Sequence, residues 1–139
     1  MASAGTPASI VDNAEADLSW QEDLYKHFHM HPELSGAEEQ TAARIAQELQ
    51  RYPDWEVHTE IGGHGITAVL RNGEGPTVLM RADFDGLPVA ENTEVDYASQ
   101  HSQLDSQGQR VPTMHACGHD HHTTSVSYTH LTLPTTPYV

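Results

Sequence analysis

The sequence predicts an α/β domain in which two N-terminal helices pack on a small sheet. Apolar residues recur at helical spacing as far as residue 53, and short runs typical of β-strands follow from residue 55. The chain has 139 residues, which is enough for one domain with a modest core. Helices followed by strands in one such chain make a mixed fold class the simplest prediction.

The first helix is predicted from residue 18, because Trp20, Leu24 and Phe28 lie four residues apart and share one helical face. A helix with such a stripe buries that face against its neighbours. It is expected to end at His31, since a residue that precedes a proline, here Pro32, is disfavoured in the helical conformation.

The second helix is predicted from a start signal and a stripe. Ser35 and Glu38 have the spacing of a capping box, in which the two side chains hydrogen-bond to the first backbone amides of a helix. Four apolar residues follow at helical spacing up to Pro53, namely Ala42, Ile45, Ala46 and Leu49. We expect a helix of about sixteen residues.

The next segment favours strands. Residues 55–58 alternate between apolar and polar, and two β-prone runs, 66–70 and 77–80, are separated by a turn-rich stretch. This pattern predicts a hairpin and a sheet that contains residues 66–70 and 77–82. The second run is apolar throughout, as in a strand buried on both faces, and Asp83 and Asp85 follow it. Ligands of open α/β sheets bind at this end of a strand.

Charge and cysteine usage exclude several classes of partner. Six Lys and Arg residues against twenty Asp and Glu residues give a net charge of −14, which disfavours nucleic acid and anionic membranes as partners. The single cysteine, Cys117, cannot form an intramolecular disulfide. Residues 1–17 show neither a secretory signal nor an anchor, so we expect a mobile leader and a cytoplasmic protein.

The segment most suited to chemistry is residues 114–124, which contain four histidines, one cysteine and one aspartate. Cys117 and His119 flank a glycine, so a thiolate and an imidazole can turn toward one divalent metal ion. A solvated His-rich loop that collects metal adventitiously is an equal alternative. Asp83 and Asp85 are, as residue types, more often turn-forming or capping residues than catalytic ones.

Three blocks of sequence, residues 25–35, 79–89 and 114–124, resemble the M20 metallopeptidases. The most similar branch is that of the N-acyl-amino-acid, hippurate and auxin-conjugate amidohydrolases, and the resemblance covers about residues 20–124. It implies an α/β catalytic domain with two divalent ions (Zn, Mn, Co or Ni) and a smaller dimerisation domain. It also implies hydrolysis of the amide bond of small-molecule N-acyl amino acids, by a homodimer in the full-length parent.

The resemblance also implies roles for individual residues. Cys117 matches a metal ligand that bridges the two ions, and His119 matches a ligand to one of them. Asp85 matches the catalytic-site aspartate that supports the metal ligands by hydrogen bonding. Asp83, Asp120 and His122 lie in the same blocks, but loop hydrogen bonding and helix capping are equally good interpretations of them.

The resemblance breaks after Thr124. The family has an apolar helix and a glutamate pair there, whereas Asp120 is the last acidic residue of this chain. The string from Val126 resembles a translated sequencing-library adapter, and its prolines oppose a helix. We therefore expect residues 18–124 to be a truncated, inactive N-terminal part of an M20 catalytic domain, and residues 125–139 a non-native tail. The alternative is a non-catalytic His/Cys metal-binding module.

Overall fold

The computed structural model describes residues 18–71 and 73–127. The predicted leader, residues 1–17, and most of the predicted tail, residues 128–139, lie outside the described residues. The elements are helices α1 (Ser19–Met30), α2 (Glu39–Gln50) and α3 (His119–Ser127), and strands β1 (Trp55–Ile61), β2 (Gly65–Leu70), β3 (Ser102–Leu104) and β4 (Arg110–Pro112). The predicted α/β class is confirmed. No helix among these residues is long and apolar enough to span a membrane.

The core lies between α1 and α2. Leu24 and Phe28 of α1 are each 2% exposed and pack with Ile45 of α2, as the helical stripes predicted. Ile66 of β2 and Phe84 pack against this cluster. The core therefore joins the two helices to the small sheet and to the segment that carries the predicted carboxylates.

The start of α2 differs from the predicted capping box. Neither Ser35 nor Glu38 makes a side-chain cap hydrogen bond. The buried carboxylate of Glu33 accepts the backbone N–H of Gln40 at 3.2 Å and that of Thr41 at 2.7 Å, and the Thr41 hydroxyl as well. A charged carboxylate suits the positive end of a helix better than a neutral hydroxyl does. The helix is also shorter than expected, at 12 residues.

The hairpin is formed by β1 and β2, and not by the predicted runs 66–70 and 77–80. β1 pairs antiparallel with β2, from Trp55 opposite Leu70 to Ile61 opposite Gly65. The prediction that residues 77–82 form a buried strand is wrong, since Val78 and Leu79 each leave 82% of their surface exposed. A strand needs a neighbour for its backbone hydrogen bonds. β2 is already paired with β1 across a three-residue turn, and no other described strand adjoins 77–82.

Residues 85–87 are nevertheless fixed in place by two isolated bridges. Gly86 bridges Leu34, its N–H donating to the Glu33 carbonyl at 2.6 Å, and Leu87 bridges Met114 on the other side. A Cβ on Gly86 would lie 2.8 Å from the Pro32 Cβ, so only glycine allows this approach. Residues 77–82 thus form no strand, but the segment that follows them is held in place by these two bridges.

The last helix reaches into the predicted tail. α3 continues to Ser127, and Ser125 and Ser127 donate their hydroxyls to the carbonyls of His121 and Thr123. The first three residues of the predicted non-native tail, 125–127, are therefore helical. Serine hydroxyls that bond back to the preceding turn are tolerated inside a helix. The segment lacks apolar periodicity, so the sequence pattern did not predict this helix.

The position of the α2 cap can be tested by substitution. We expect Glu33→Gln to lower the free energy of unfolding by roughly 1–3 kcal/mol, because it leaves buried amide donors without their charged acceptor. Urea unfolding measures this change. The control, Ser35→Ala, should stay within about 0.5 kcal/mol. A loss of about 1 kcal/mol in Ser35→Ala, with no effect of Glu33→Gln, would restore the capping box.

Candidate metal centre

The predicted proximity of Asp85 to the Cys117-Gly118-His119 turn is confirmed. His119 Nδ1 lies 2.9 Å from Asp85 Oδ1 and 3.0 Å from the Asp85 carbonyl oxygen. Both oxygens can only accept when the carboxylate is ionised, so Nδ1 carries the proton. The lone pair of His119 then lies on Nε2, the form in which a histidine binds a metal while a carboxylate orients it.

Cys117 lies on the other side of a glycine from His119. The thiol is free and exposed, and the Gly118 N–H closes a turn onto the His115 carbonyl at 3.2 Å. Gly118 has a φ of 74°, a conformation that favours glycine. The turn leads directly into α3, which begins at His119. Backbone geometry thus brings the two predicted ligands to the same end of a helix.

The donor set is incomplete. Across residues 18–71 and 73–127, no three His, Cys, Asp or Glu side chains converge so that they could hold a metal ion. A thiolate and an imidazole fit zinc-like divalent ions, but a tetrahedral site takes four ligands. Cys117 and His119 therefore fit half of such a site, and the roles predicted for Asp85, Cys117 and His119 stay predictions.

The other residues of the matching blocks are placed differently from one another. Asp83 is paired with Arg81 near the surface, and its carbonyl accepts the Thr123 hydroxyl at 3.0 Å. His122 is exposed, with its ring centroid 6.3 Å from that of His119. Asp120 is buried and accepts a hydrogen bond from His29 of α1. None of these three side chains is hydrogen-bonded to Cys117 or His119 among the described contacts.

A buried charge network lies beside the turn. His29 of α1 places Nδ1 2.7 Å from Asp120 Oδ2 and Nε2 2.9 Å from Glu91 Oε1. The three side chains are only 10%, 2% and 0% exposed, respectively. Because ionised carboxylates only accept, the ring must donate from both nitrogens, which makes it an imidazolium.

The electrostatics of this network agree with its geometry. Burial acts to lower the pKa of His29, but the hydrogen bonds and charges of Glu91 and Asp120 outweigh it and hold that pKa above its ordinary value. Burial likewise acts to raise the pKa of Glu91, and hydrogen bonds from Thr93, His29 and the Ser99 amide bring it below its ordinary value. Each partner thus favours the charged form of the other.

Aromatic rings enclose the network. The centroids of Tyr25 and Tyr97 lie 5.7 Å and 5.2 Å from that of His29. Burial, followed by the charge of Asp120, raises the pKa of Tyr25 to about 12. The phenol is therefore neutral, and it shields the ionic hydrogen bonds from water.

His115 has a different environment, although it is near the same groups. It is 5% exposed, and neither ring nitrogen has a hydrogen-bond partner within the described part of the chain. Burial is the largest influence and lowers the pKa of His115; Asp120 opposes this, while the neighbouring His29 and His119 reinforce it. Burial thus favours the neutral form of the His115 imidazole.

Sequence reasoning missed the network around His29. His29 lies in the first matching block and Asp120 in the third, so their positions in these blocks were the signal that could have indicated a role at the site. Glu91 follows the second block by two residues and carries no signal of its own. The three blocks are distant in sequence because their side chains meet only in the folded chain.

Comparison with known proteins gives consistent likenesses, although no family model matches the chain. YhaA of Bacillus subtilis (strain 168), an amidohydrolase by name, is 42% identical over 118 residues, covering 82% of this chain and 27% of that protein. Hippurate hydrolase of Campylobacter jejuni is 38% identical over 112 residues, 79% of this chain and 27% of that protein. The chain therefore spans about a quarter of the length of these relatives.

A solved structure agrees with them. The crystal structure of YXEP from Bacillus subtilis, described as a dinuclear metal-binding peptidase of the M20 family, matches with a TM-score of 0.67 and 32% identity. The match covers 81% of this chain and 29% of that one.

A histidine that a carboxylate holds in one tautomer, next to a free thiol, offers two donors that divalent metal ions accept. The relatives are named as amidohydrolases and the solved structure is described as an M20 peptidase, so the predicted resemblance to the M20 metallopeptidases is confirmed. The length matched corresponds to part of such a protein.

The pKa of His29 is directly testable. We expect an NMR titration of its imidazole to give a value above the ordinary 6.5, because two carboxylates accept from the ring. The groups that face His29 are Glu91, Asp120, Tyr25, Tyr97 and His115. A raised pKa means that this stabilisation is complete below pH 6.5 and is lost as the pH rises through the folded-state value. A value at or below 6.5 would contradict the ionic network.

Proposed function

We propose that the chain supplies the first metal ligands of an amidohydrolase that cleaves the amide bond of small N-acyl amino acids or related conjugates. The observation that carries the proposal is the hydrogen bond of Asp85 to His119, next to the exposed thiol of Cys117. Hippurate hydrolase, among the relatives, is named for a substrate of this class. The activity of the whole enzyme belongs to this proposal.

The contacts of Asp85, Cys117 and His119 suggest a separate role for each residue. His119 would bind a divalent ion through Nε2, and Cys117 through its thiolate, while Asp85 keeps the His119 ring oriented and raises its basicity. When bound, such an ion supplies Lewis-acid polarisation of the amide carbonyl and acidifies a water molecule. Zinc, manganese, cobalt and nickel all accept this donor set, so the identity of the metal stays open between them.

The chain as printed is proposed to bind metal weakly and to lack turnover. Two protein ligands leave at least two positions of a tetrahedral ion to water. Hydrolysis also needs a general base near the attacking water. Among residues 18–71 and 73–127 no three-ligand group exists, and no acidic residue follows Asp120 in the sequence. Proton removal and carbonyl polarisation then both fail.

The second candidate is a non-catalytic metal-binding module. His121 and His122 follow Cys117 in the sequence and are exposed in the first turn of α3, where they offer imidazoles to an ion without a fixed site. Such adventitious binding has no need of Asp85, whose carboxylate and carbonyl both hold His119. That contact favours the amidohydrolase.

The proposed location is the cytoplasm. A free thiol agrees with a reducing compartment, where disulfides are rare.

Metal titration distinguishes the two candidates. We expect Cys117→Ala to weaken Zn²⁺ binding at least tenfold, and Asp85→Asn to weaken it about 10- to 100-fold, because the first removes a ligand and the second its support. Isothermal calorimetry measures both. The matched control, His121→Ala, removes an exposed histidine of the same motif and should change the affinity less than twofold. Equal losses in Cys117→Ala and His121→Ala would favour the non-catalytic metal-binding module.

Turnover is a separate test. We expect no hydrolysis of hippurate or acetylated amino acids in the presence of excess Zn²⁺ or Mn²⁺, because the described part of the chain offers no complete site. Release of free amine is the quantity to measure. Activity that persists through purification and disappears in Cys117→Ala would show that the chain completes its own site.

A further inference from the structure

We propose that His29 is a positioning residue for the metal centre, which it supports without touching it. This inference rests on the proposed function, in which Cys117 and His119 bind the metal. The His29 imidazolium links two buried carboxylates, those of Asp120 and Glu91. Each carboxylate is connected to one side of the Cys117-Gly118-His119 turn. The linkage on each side can be followed through hydrogen bonds.

The first linkage runs through Asp120, the residue directly after His119. Oδ2 of Asp120 accepts from His29 at 2.7 Å, while Oδ1 accepts the backbone N–H of His121 at 2.8 Å. Both carboxylate oxygens are therefore committed, and the first turn of α3 is tied to α1. The His119 ring, in contrast, donates to Asp85. The residue that carries the proposed ligand is thus held from two directions.

The second linkage runs through Glu91 to the segment before the turn. Glu91 accepts from His29 at 2.9 Å, and its other oxygen accepts the Ser99 backbone N–H. The Ser99 hydroxyl in turn donates to the Thr113 carbonyl at 2.8 Å. Thr113 is 1% exposed and lies two residues before His115, whose carbonyl closes the turn. His29 therefore braces the turn on both sides.

The chemistry of the site calls for a histidine. Two carboxylates face the residue from opposite directions, so it needs a donor on each side and a positive charge to offset theirs. A rigid imidazolium provides all three within one ring. An asparagine provides donors from one amide nitrogen only and has no charge. Replacing His29 leaves two buried carboxylates without a cation, and the turn loses its brace.

The test compares metal binding with folding. Zn²⁺ affinity is measured by calorimetry for the full chain and for His29→Asn, at a temperature where circular dichroism shows each protein to be folded. The control is His31→Asn, because His31 is an exposed histidine at the end of the same helix and bonds only locally, to the His27 carbonyl. We expect His29→Asn to lose affinity about tenfold or more, as loss of supporting contacts does at metal sites, and His31→Asn to change it less than twofold.

A spectroscopic measurement separates positioning from general stability. With saturating Co²⁺, the absorption of the bound ion reports the arrangement of its ligands, and we expect it to differ between His29→Asn and the unaltered chain. If His29→Asn does not fold, Glu91→Gln provides the same comparison with a nearly unchanged shape. Its affinity should fall in the same direction, because it weakens the other arm of the brace.

The outcomes distinguish this inference from the function beneath it. Lower stability of the folded variants, with unchanged affinity and an unchanged cobalt spectrum, would show that His29 is only structural and would overturn the inference. If Cys117→Ala still weakens binding in that case, the proposed function stands. If Cys117→Ala has no effect, the proposed function fails, and the positioning role fails with it.

Discussion

The ionic hydrogen bonds of the buried His29 ring are the interaction on which the arrangement around the candidate metal centre depends. It joins α1, the segment that begins at Glu91, and the first turn of α3. Burying three charged groups is costly, and their attraction offsets that cost only when geometry and additional hydrogen bonds are favourable. Here the backbone amides of Ser99 and His121 donate to the remaining carboxylate oxygens of Glu91 and Asp120, and Thr93 donates to the Glu91 oxygen that also accepts from His29. The network therefore fixes one arrangement of these segments, because other arrangements would leave a buried charge unpaired.

A second brace positions the carboxylate that meets His119. Glu33 uses its side chain to cap α2 and its carbonyl to bind the Gly86 N–H, so one residue connects a helix start to the residue after Asp85. The α1–α2 core of Leu24, Phe28 and Ile45 holds the two ends of this connection together. Because Gly86 approaches Pro32 so closely, a side chain there would displace Asp85. Hydrophobic packing thus reaches the metal centre through backbone contacts.

Local signals predicted α1 and α2, whereas the approach of Asp85 to His119 was predicted from the family resemblance. The stripe that includes Leu24 and Phe28 gave α1 directly, since helical spacing is a property of neighbouring residues. The same kind of signal failed for residues 77–82, because an apolar run becomes a strand only where a partner strand lies beside it. The α2 cap was missed for a related reason. Ser35 matched a local pattern, but the nearby Glu33 offered a charged acceptor that the pattern does not consider.

The candidate metal centre combines an oriented histidine with an incomplete ligand set. Both described hydrogen bonds of the His119 ring are made to Asp85, whereas no third ligand converges among the described residues. Support and ligation are separable, because hydrogen bonds that orient a histidine act whether or not an ion is present. An imidazole fixed in this way loses less freedom when it binds than a mobile one does, so each added ligand gains more affinity. The same reasoning explains why two exposed neighbours, His121 and His122, add little although they are nearby: no hydrogen bond of their rings orients them among the described contacts.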